Sequence, residues 1–462
     1  LEKAVKVPSV SAYADHRDQV FKMSEMISTE MKSLNVEVEM KPLGQEPGTD
    51  LQLPPLILGR YGSDPTKPTI LVYSHYDVQP ATKEDGWMHE PWELTEQDGK
   101  LYGRGTSDDK GPLLGWLNMI EAFQKANIAV PANLVFCFEG MEENGSTGLL
   151  AALEEEALAY FADVDGICIT DTIWAGSKRP SVTHGLRGVL FYIITITGAA
   201  ADAHSGLFGG HISEPMTDMV RVMSSLVDSS GKLLVDGVYD DVMPVSAEDR
   251  DKYRNMKLSK EDLGGGLKAR SLHEKVEDII ISRWRMPSLS LHRIENSQPG
   301  AGATTTIPAK IRGKFSIRTV PNMSAEKVDQ LVRRHIDRVW AGLGSENDMD
   351  LTCVHQSDWF YEDVDHWNYR AATAATENVW GIQPGLACEG GSIPVALHFK
   401  QVLKKNVLIL PVGRPTDGAH SINECSSSRS TNSIKMFGSY LEEASRLWAE
   451  SGIPSSEEQK CV

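Results

Sequence analysis

Five short segments carry residues that can bind a divalent cation or move a proton. His75-Tyr76-Asp77 follows the apolar run Ile70-Leu71-Val72-Tyr73-Ser74. Alternation along an extended chain puts residues i and i+2 on one side, so Asp77 can stand beside His75 and orient its ring. Glu139 and the adjacent pair Glu142-Glu143 follow Leu134–Phe138, and Thr170-Asp171 follows Ile167–Ile169. Val407–Leu410 leads toward Asp417 and His420, and Asp108-Asp109 sit in the Gly-punctuated stretch from Gly103 to Gly111. Each segment alone reads as an ordinary turn or strand end. Together they read differently. Adjacent glutamates repel; a cation resolves this when one ligates it and the other takes a proton from water. Two histidines and three carboxylates are ligand types that zinc takes, and an oxygen-rich set admits manganese. With one bridging carboxylate, five ligands suit two ions roughly 3.5 Å apart.

Such residues converge only if the strands that carry them lie side by side. In open α/β sheets, sites form at the carboxyl ends of the strands. The chain to about residue 185 alternates helical and strand patterns: a helix over Gln19–Leu34, strands at Asn35–Met40 and Leu56–Tyr61, and the Ile70 strand. A helix from Pro112 to about Ala126 follows, then the Leu134 strand, a helix over Gly148–Phe161 and the Ile167 strand. Proline suits the first turn of a helix. Near Gly185 the texture changes. Val189–Thr197 is long and β-branched, a helix spans Glu214–Val227, residues 247–277 are charged, and Lys310–Thr319 reads as a strand. Ser324 caps a helix whose apolar residues Val328, Leu331, Val332, Ile336, Val339 and Leu343 follow helical spacing; a strand at Leu351–His355 follows. From about Trp359 the first texture returns, with helices over Asn368–Val379 and Ser430–Trp448. The expected fold is α/β: a layered catalytic domain with a mixed central sheet, formed by 1–185 and 359–462, and an inserted α+β lid and dimerisation domain over 186–358.

The chain has 462 residues, 41% hydrophobic and 24% charged, which describes a globular protein of two or three domains. A net charge of -18 argues against nucleic-acid binding, which needs a basic field. No run of 18 or more apolar residues suggests a membrane span. The six cysteines are scattered without a CxxC spacing, so thiolate zinc sites are not expected. A sequon at Asn144 directly follows Glu143, where a glycan would block the site, and a second lies at Asn322. Both observations favour a cytoplasmic compartment. Leu1 opens the sequence inside a helical pattern without an initiator Met, so further residues are expected before it.

The segments SHYDVQPA, PWEL, GKLYGRGTSDDKGP, FEGMEENGS, THGLRG, HSGLFGG, RWRMPSLSLH, GKFSIRTVPNM, EGGSIPV and LPVGRPTDGAHSINE resemble the cytosolic non-specific dipeptidases. That group includes carnosine dipeptidases and fungal Cys-Gly dipeptidases, among the aminoacylase/carboxypeptidase-G-like metallopeptidases. The likeness runs from about residue 8 to about residue 450. It implies a dipeptidase with two divalent ions per subunit, Zn2+ or Mn2+. His75 and Asp171 would hold one ion, Glu143 and His420 the other, and Asp108 would bridge them. Asp77 would orient His75, and Glu142 would be the general base. The resemblance implies a homodimer in which His204 acts across the interface on the tetrahedral oxyanion. Arg318 would grip the dipeptide's carboxylate, and Thr305, His355 and Ser392 would contact substrate. An N-acyl-amino-acid deacylase of the same architecture is the alternative. The family usually carries Arg where this chain has Cys388, before EGGSIP; an inert packing thiol is expected there.

Overall fold

The computed structural model describes residues 1–264, 271–296, 305–427 and 430–452. Nine strands form the large sheet among them. Eight run in the order Glu37–Lys41, Leu56–Tyr61, Asn133–Glu139, Thr69–His75, Gly166–Ile169, Val407–Ile409, Ser181–Leu186 and Phe360–Tyr361; Gly385–Glu389 also pairs with Ser181–Leu186. The four central strands, from Asn133–Glu139 to Val407–Ile409, are mutually parallel. Leu56–Tyr61 and Glu37–Lys41 add antiparallel strands at one edge.

Every residue of the central strands is buried, as a sheet covered on both faces requires. Alternation divides their side chains between two cores. Ile70, Val72, Leu134, Phe136 and Leu408 face the helices Arg17–Ser33, Lys110–Ala126, Trp367–Trp380 and Ser430–Glu450. Leu71, Tyr73, Val135, Cys137 and Ile409 face Leu149–Glu156 and Pro394–Leu403.

The chain leaves this sheet at Leu186 and enters a second one at Gly188. Four antiparallel strands run there in the order Ser288–Asn296, Lys310–Thr319, Gly188–Thr197, Asp348–Ser357. Leu190, Tyr192, Ile194 and Ile196 face a core shared with Pro215–Ser224 and Ala325–Leu343, while Phe191, Ile193 and Thr195 between them are only half-buried. No helix among the described residues is long and apolar enough to cross a membrane.

Most expected elements are present with shifted ends. One is much shorter: the helix expected to reach Phe161 stops at Glu156. Glu154, Glu155 and Glu156 crowd its C-terminal end, where the helix dipole disfavours negative charge. Leu158, which would have extended the apolar face, is 94% exposed.

Candidate metal centre

Because the central strands are parallel, their carboxyl ends share one edge. His75 is the last residue of its strand and lies opposite Glu139 in the next. Glu142 and Glu143 form the short turn after Glu139, and Asp171 stands two residues past Ile169. Asp108 precedes the Lys110–Ala126 helix, and the Asp108–Asp109 peptide is cis. His420 follows the Pro415–Asp417 turn in a left-handed backbone conformation.

These side chains meet. Asp108 lies between the two histidines: its Oδ1 is 3.0 Å from His75 Nε2 and its Oδ2 is 3.0 Å from His420 Nε2. His75 Nε2 is 3.6 Å from Asp171 Oδ1, and His420 Nε2 is 2.9 Å from Glu143 Oε2. Two groups result: His75, Glu142 and Asp171, and Asp108, Glu143 and His420. Within each, one ligand atom from every residue lies within 4.8 Å of the others. Either group can hold a divalent ion.

The electrostatics fit cations. Burial, and then Asp171, pushes Glu142 well above the usual carboxylate range, and burial raises Glu143. Burial alone would lower His75, but the Asp171, Asp108 and Asp77 carboxylates carry it well above an ordinary imidazole. Hydrogen bonds to Asp108 and Glu143 lift His420 to about 11. Burial opposes ionisation of Asp108, yet its two histidine partners hold it far below the ordinary value. Carboxylates gathered this closely repel one another, and a divalent ion among them would relieve that repulsion.

Asp77 is fully buried. His75 Nδ1 is nearer the Asp77 backbone carbonyl, 3.1 Å, than its carboxylate, 3.4 Å. The carboxylate instead accepts from the Glu142 and Glu143 backbone N–H groups at 3.2 and 3.0 Å, and from Ser11 Oγ at 2.6 Å. Gln79 donates to both Glu143 oxygens, through its backbone N–H at 3.1 Å and its side-chain amide at 2.8 Å. Sequence reading missed both. Gln79 lies two residues past Asp77, so the i, i+2 argument could have reached it; nothing local to Ser11 announces its role. Glu139 is no part of either group, and accepts from Tyr73 and Ser146.

The expected substrate residues fall into two further places. Arg318 Nη1 donates to Ser392 Oγ at 2.6 Å, and Arg318 is the charge that, after burial, lowers His355. Among the described residues no carboxylate pairs with Arg318, and burial alone lowers its pKa. Arg187 and Arg283 surround the same Gly-rich loop: Arg187 Nε donates to the Gly390 carbonyl at 2.8 Å, and Arg283 pairs with Glu389 at 3.1 Å. Burial, and then Arg318 and Arg283, lowers Arg187 to about 10. His204 and Thr305 lie elsewhere. His204 is exposed and pairs with Thr306 in a two-stranded ladder, and the Thr305 carbonyl accepts from Ser205 N. Among the described residues no hydrogen bond joins His204 or Thr305 to the cluster. Cys388 Sγ lies 3.8 Å from His184 Nε2, and burial pushes the thiol up to about 12, so it is not a ready nucleophile. Both line a cavity of about 1210 Å³ with Tyr253, Trp284 and Tyr361, and none of the cluster residues borders it.

Residues 71–443 match the sequence model of Peptidase family M20/M25/M40. The chain belongs to this family. It is 47% identical over 448 residues to the Cys-Gly metallodipeptidase dug1 of Schizosaccharomyces pombe, covering 96% of this chain and 94% of that one. Against the human Beta-Ala-His dipeptidase it is 39% identical over 425 residues, covering 91% and 84%. Among solved structures, the dipeptidase Dug1p of Saccharomyces cerevisiae superposes with a TM-score of 0.90 at 44% identity, covering 96% of this chain and 95% of that one. Human carnosine dipeptidase 1 gives the same TM-score at 37% identity, with the same coverage. The M20 chain thus has the α/β architecture expected from its sequence.

Proposed function

We propose that this protein is a metal-dependent dipeptidase, with Cys-Gly and related dipeptides as substrates. The observation that carries the reading is the placement of Asp108 between His75 and His420, each with its own further carboxylates. In this reading His75 and Asp171 would hold one ion, Glu143 and His420 the other, and Asp108 would be shared between them; zinc and manganese both suit nitrogen and carboxylate donors. When bound, such a pair of ions polarises the scissile carbonyl and makes a water easier to deprotonate. Glu142 takes that water's proton as the oxygen attacks the carbonyl carbon, then delivers it to the amine as the C–N bond breaks. Its turn is fixed by the Asp77 carboxylate.

Arg318 anchors the substrate's terminal carboxylate. A half-buried guanidinium with no acidic partner among the described residues favours an anion there. That anchor limits substrates to very short peptides. His204 Nδ1 accepts from Gly206 N at 3.0 Å, which leaves the proton of a neutral ring on Nε2. This donor suits the oxyanion of a neighbouring subunit in a homodimer. His355 and Ser392 would line the path of the substrate beside Arg318, and Thr305 would reach it together with His204 from the neighbouring subunit. Residues 186–358 act as lid and dimerisation domain, and 1–185 with 359–462 carry the chemistry. Cytoplasmic turnover of Cys-Gly would place the enzyme in glutathione degradation. The Cys-Gly metallodipeptidase of Schizosaccharomyces pombe shares more identity with this chain, 47%, than the human Beta-Ala-His dipeptidase, 39%.

Glu142→Gln tests the assignment. The variant should retain both ions by metal analysis and lose Cys-Gly hydrolysis by a factor of roughly 10² or more. Near-normal turnover would remove Glu142 from the mechanism. Hydrolysis of N-acyl amino acids in preference to free dipeptides by the unaltered enzyme would point to a deacylase instead.

A further inference from the structure

Glu424 follows His420 by four residues and is fully buried. Its carboxylate is spent entirely on the loop that carries Asp108. Oε2 accepts from Arg104 Nη1 at 2.8 Å and Gly105 N at 2.9 Å. Oε1 accepts from Ser107 N at 2.9 Å, Ser107 Oγ at 3.2 Å and Asp108 N at 3.1 Å. Its backbone carbonyl accepts from Gly103 N at 3.0 Å, and the next residue, Cys425, pairs with Tyr102. One short segment thus holds His420 at one end and grips the Asp108 loop at the other.

We propose that Glu424 is a positioning residue for the metal centre, fixing Asp108 midway between His75 and His420. The proposal rests on the metal-binding reading above. A bridging carboxylate must present each oxygen to a different ion, so its backbone has little freedom. Asp108 sits in a loop, outside the sheet that fixes His75. Its backbone N–H is tied to Glu424, while its two oxygens face histidines 3.0 Å away on either side. Because Glu424 shares a segment with His420, the hydrogen bonds set the Asp108-to-His420 spacing directly. An ionised carboxylate is an acceptor at both oxygens, and all five partners here are donors. A glutamine cannot replace it: its amide would turn N–H groups toward either Ser107 and Asp108 or Arg104 and Gly105. Arg104 has other support, since its guanidinium lies over the Trp87 ring at 5.1 Å and its Nη2 donates to the Pro80 carbonyl at 3.4 Å.

The test is titration of chelator-stripped protein with Zn2+ against a competing chelator, together with the visible spectrum of the Co2+-loaded protein. The unaltered enzyme should bind two ions; fewer than two would overturn the metal reading itself and this proposal with it. Glu424→Gln should weaken at least one of the two affinities by roughly 10- to 100-fold and shift the Co2+ spectrum. Two affinities within about threefold of the unaltered enzyme and an unchanged spectrum overturn the proposal. If Glu424→Gln does not fold, Glu424→Asp, which keeps the charge but withdraws the oxygens by one methylene, is judged by the same criterion.

Discussion

Asp77 makes its strongest contacts away from His75. Its carboxylate accepts from Ser11 and from the backbone of the Glu142–Glu143 turn, so it aligns the base and one proposed ligand together. In Asp77→Asn, one oxygen becomes an NH2 group facing a donor. The expected outcome is metal affinity weakened roughly 10- to 100-fold, with a fall in kcat that persists when both ions are restored. Metal titration and turnover at saturating metal measure the two effects separately; a variant normal in both would reduce Asp77 to packing. At this scale the sequence was most legible where a polar residue ended an apolar run, as at His75, yet Glu139 ends one too and lies outside both groups; Glu142–Glu143 stood out as an adjacent acidic pair three residues beyond it. Ser11 and Gln79 reach the site from positions whose neighbours carry no such contrast.

The strand Ser181–Leu186 shows how an element can set a pH response. His184 sits beside Cys388 of the adjoining strand and edge-on to Tyr361, with ring centroids 4.9 Å apart. Burial lowers its pKa to about 4. The unfolded chain, with an ordinary histidine near 6.5, binds the proton more readily between those values. His184 therefore contributes stability that is fully present above pH ~6.5 and lost as pH falls toward about 4. His184→Gln should flatten the rise in denaturation midpoint across that window, and an unchanged slope would exclude this residue as its source. The same strand was hard to read beforehand. Ser181–Leu186 and its partner Gly385–Glu389 contain glycines and little apolar alternation, and neither was expected as a strand. The central strands were readable because burial on both faces demands continuous apolar runs. The Lys310–Thr319 strand and the Ser324-capped helix were readable because each presents one apolar face.

Across the whole molecule, the proposed metal centre gathers residues from 75 to 420 and binds the large sheet to its last segments. Removing the ions should leave buried carboxylates facing one another without compensation. Exhaustive chelation is expected to lower the melting temperature, and Zn2+ or Mn2+ should restore it in a concentration-dependent way. Equal melting curves with and without chelator would show that the centre contributes nothing to the fold. The order of the sheet adds a constraint in time. Val407–Ile409 lies between Gly166–Ile169 and Ser181–Leu186, so two strands made early in synthesis are separated by one made late. Until residue 409 has left the ribosome, the middle of the sheet is an open slot with unpaired edges. A chain released before residue 407 exposes two unpaired strand margins, the condition that calls chaperones to multidomain proteins.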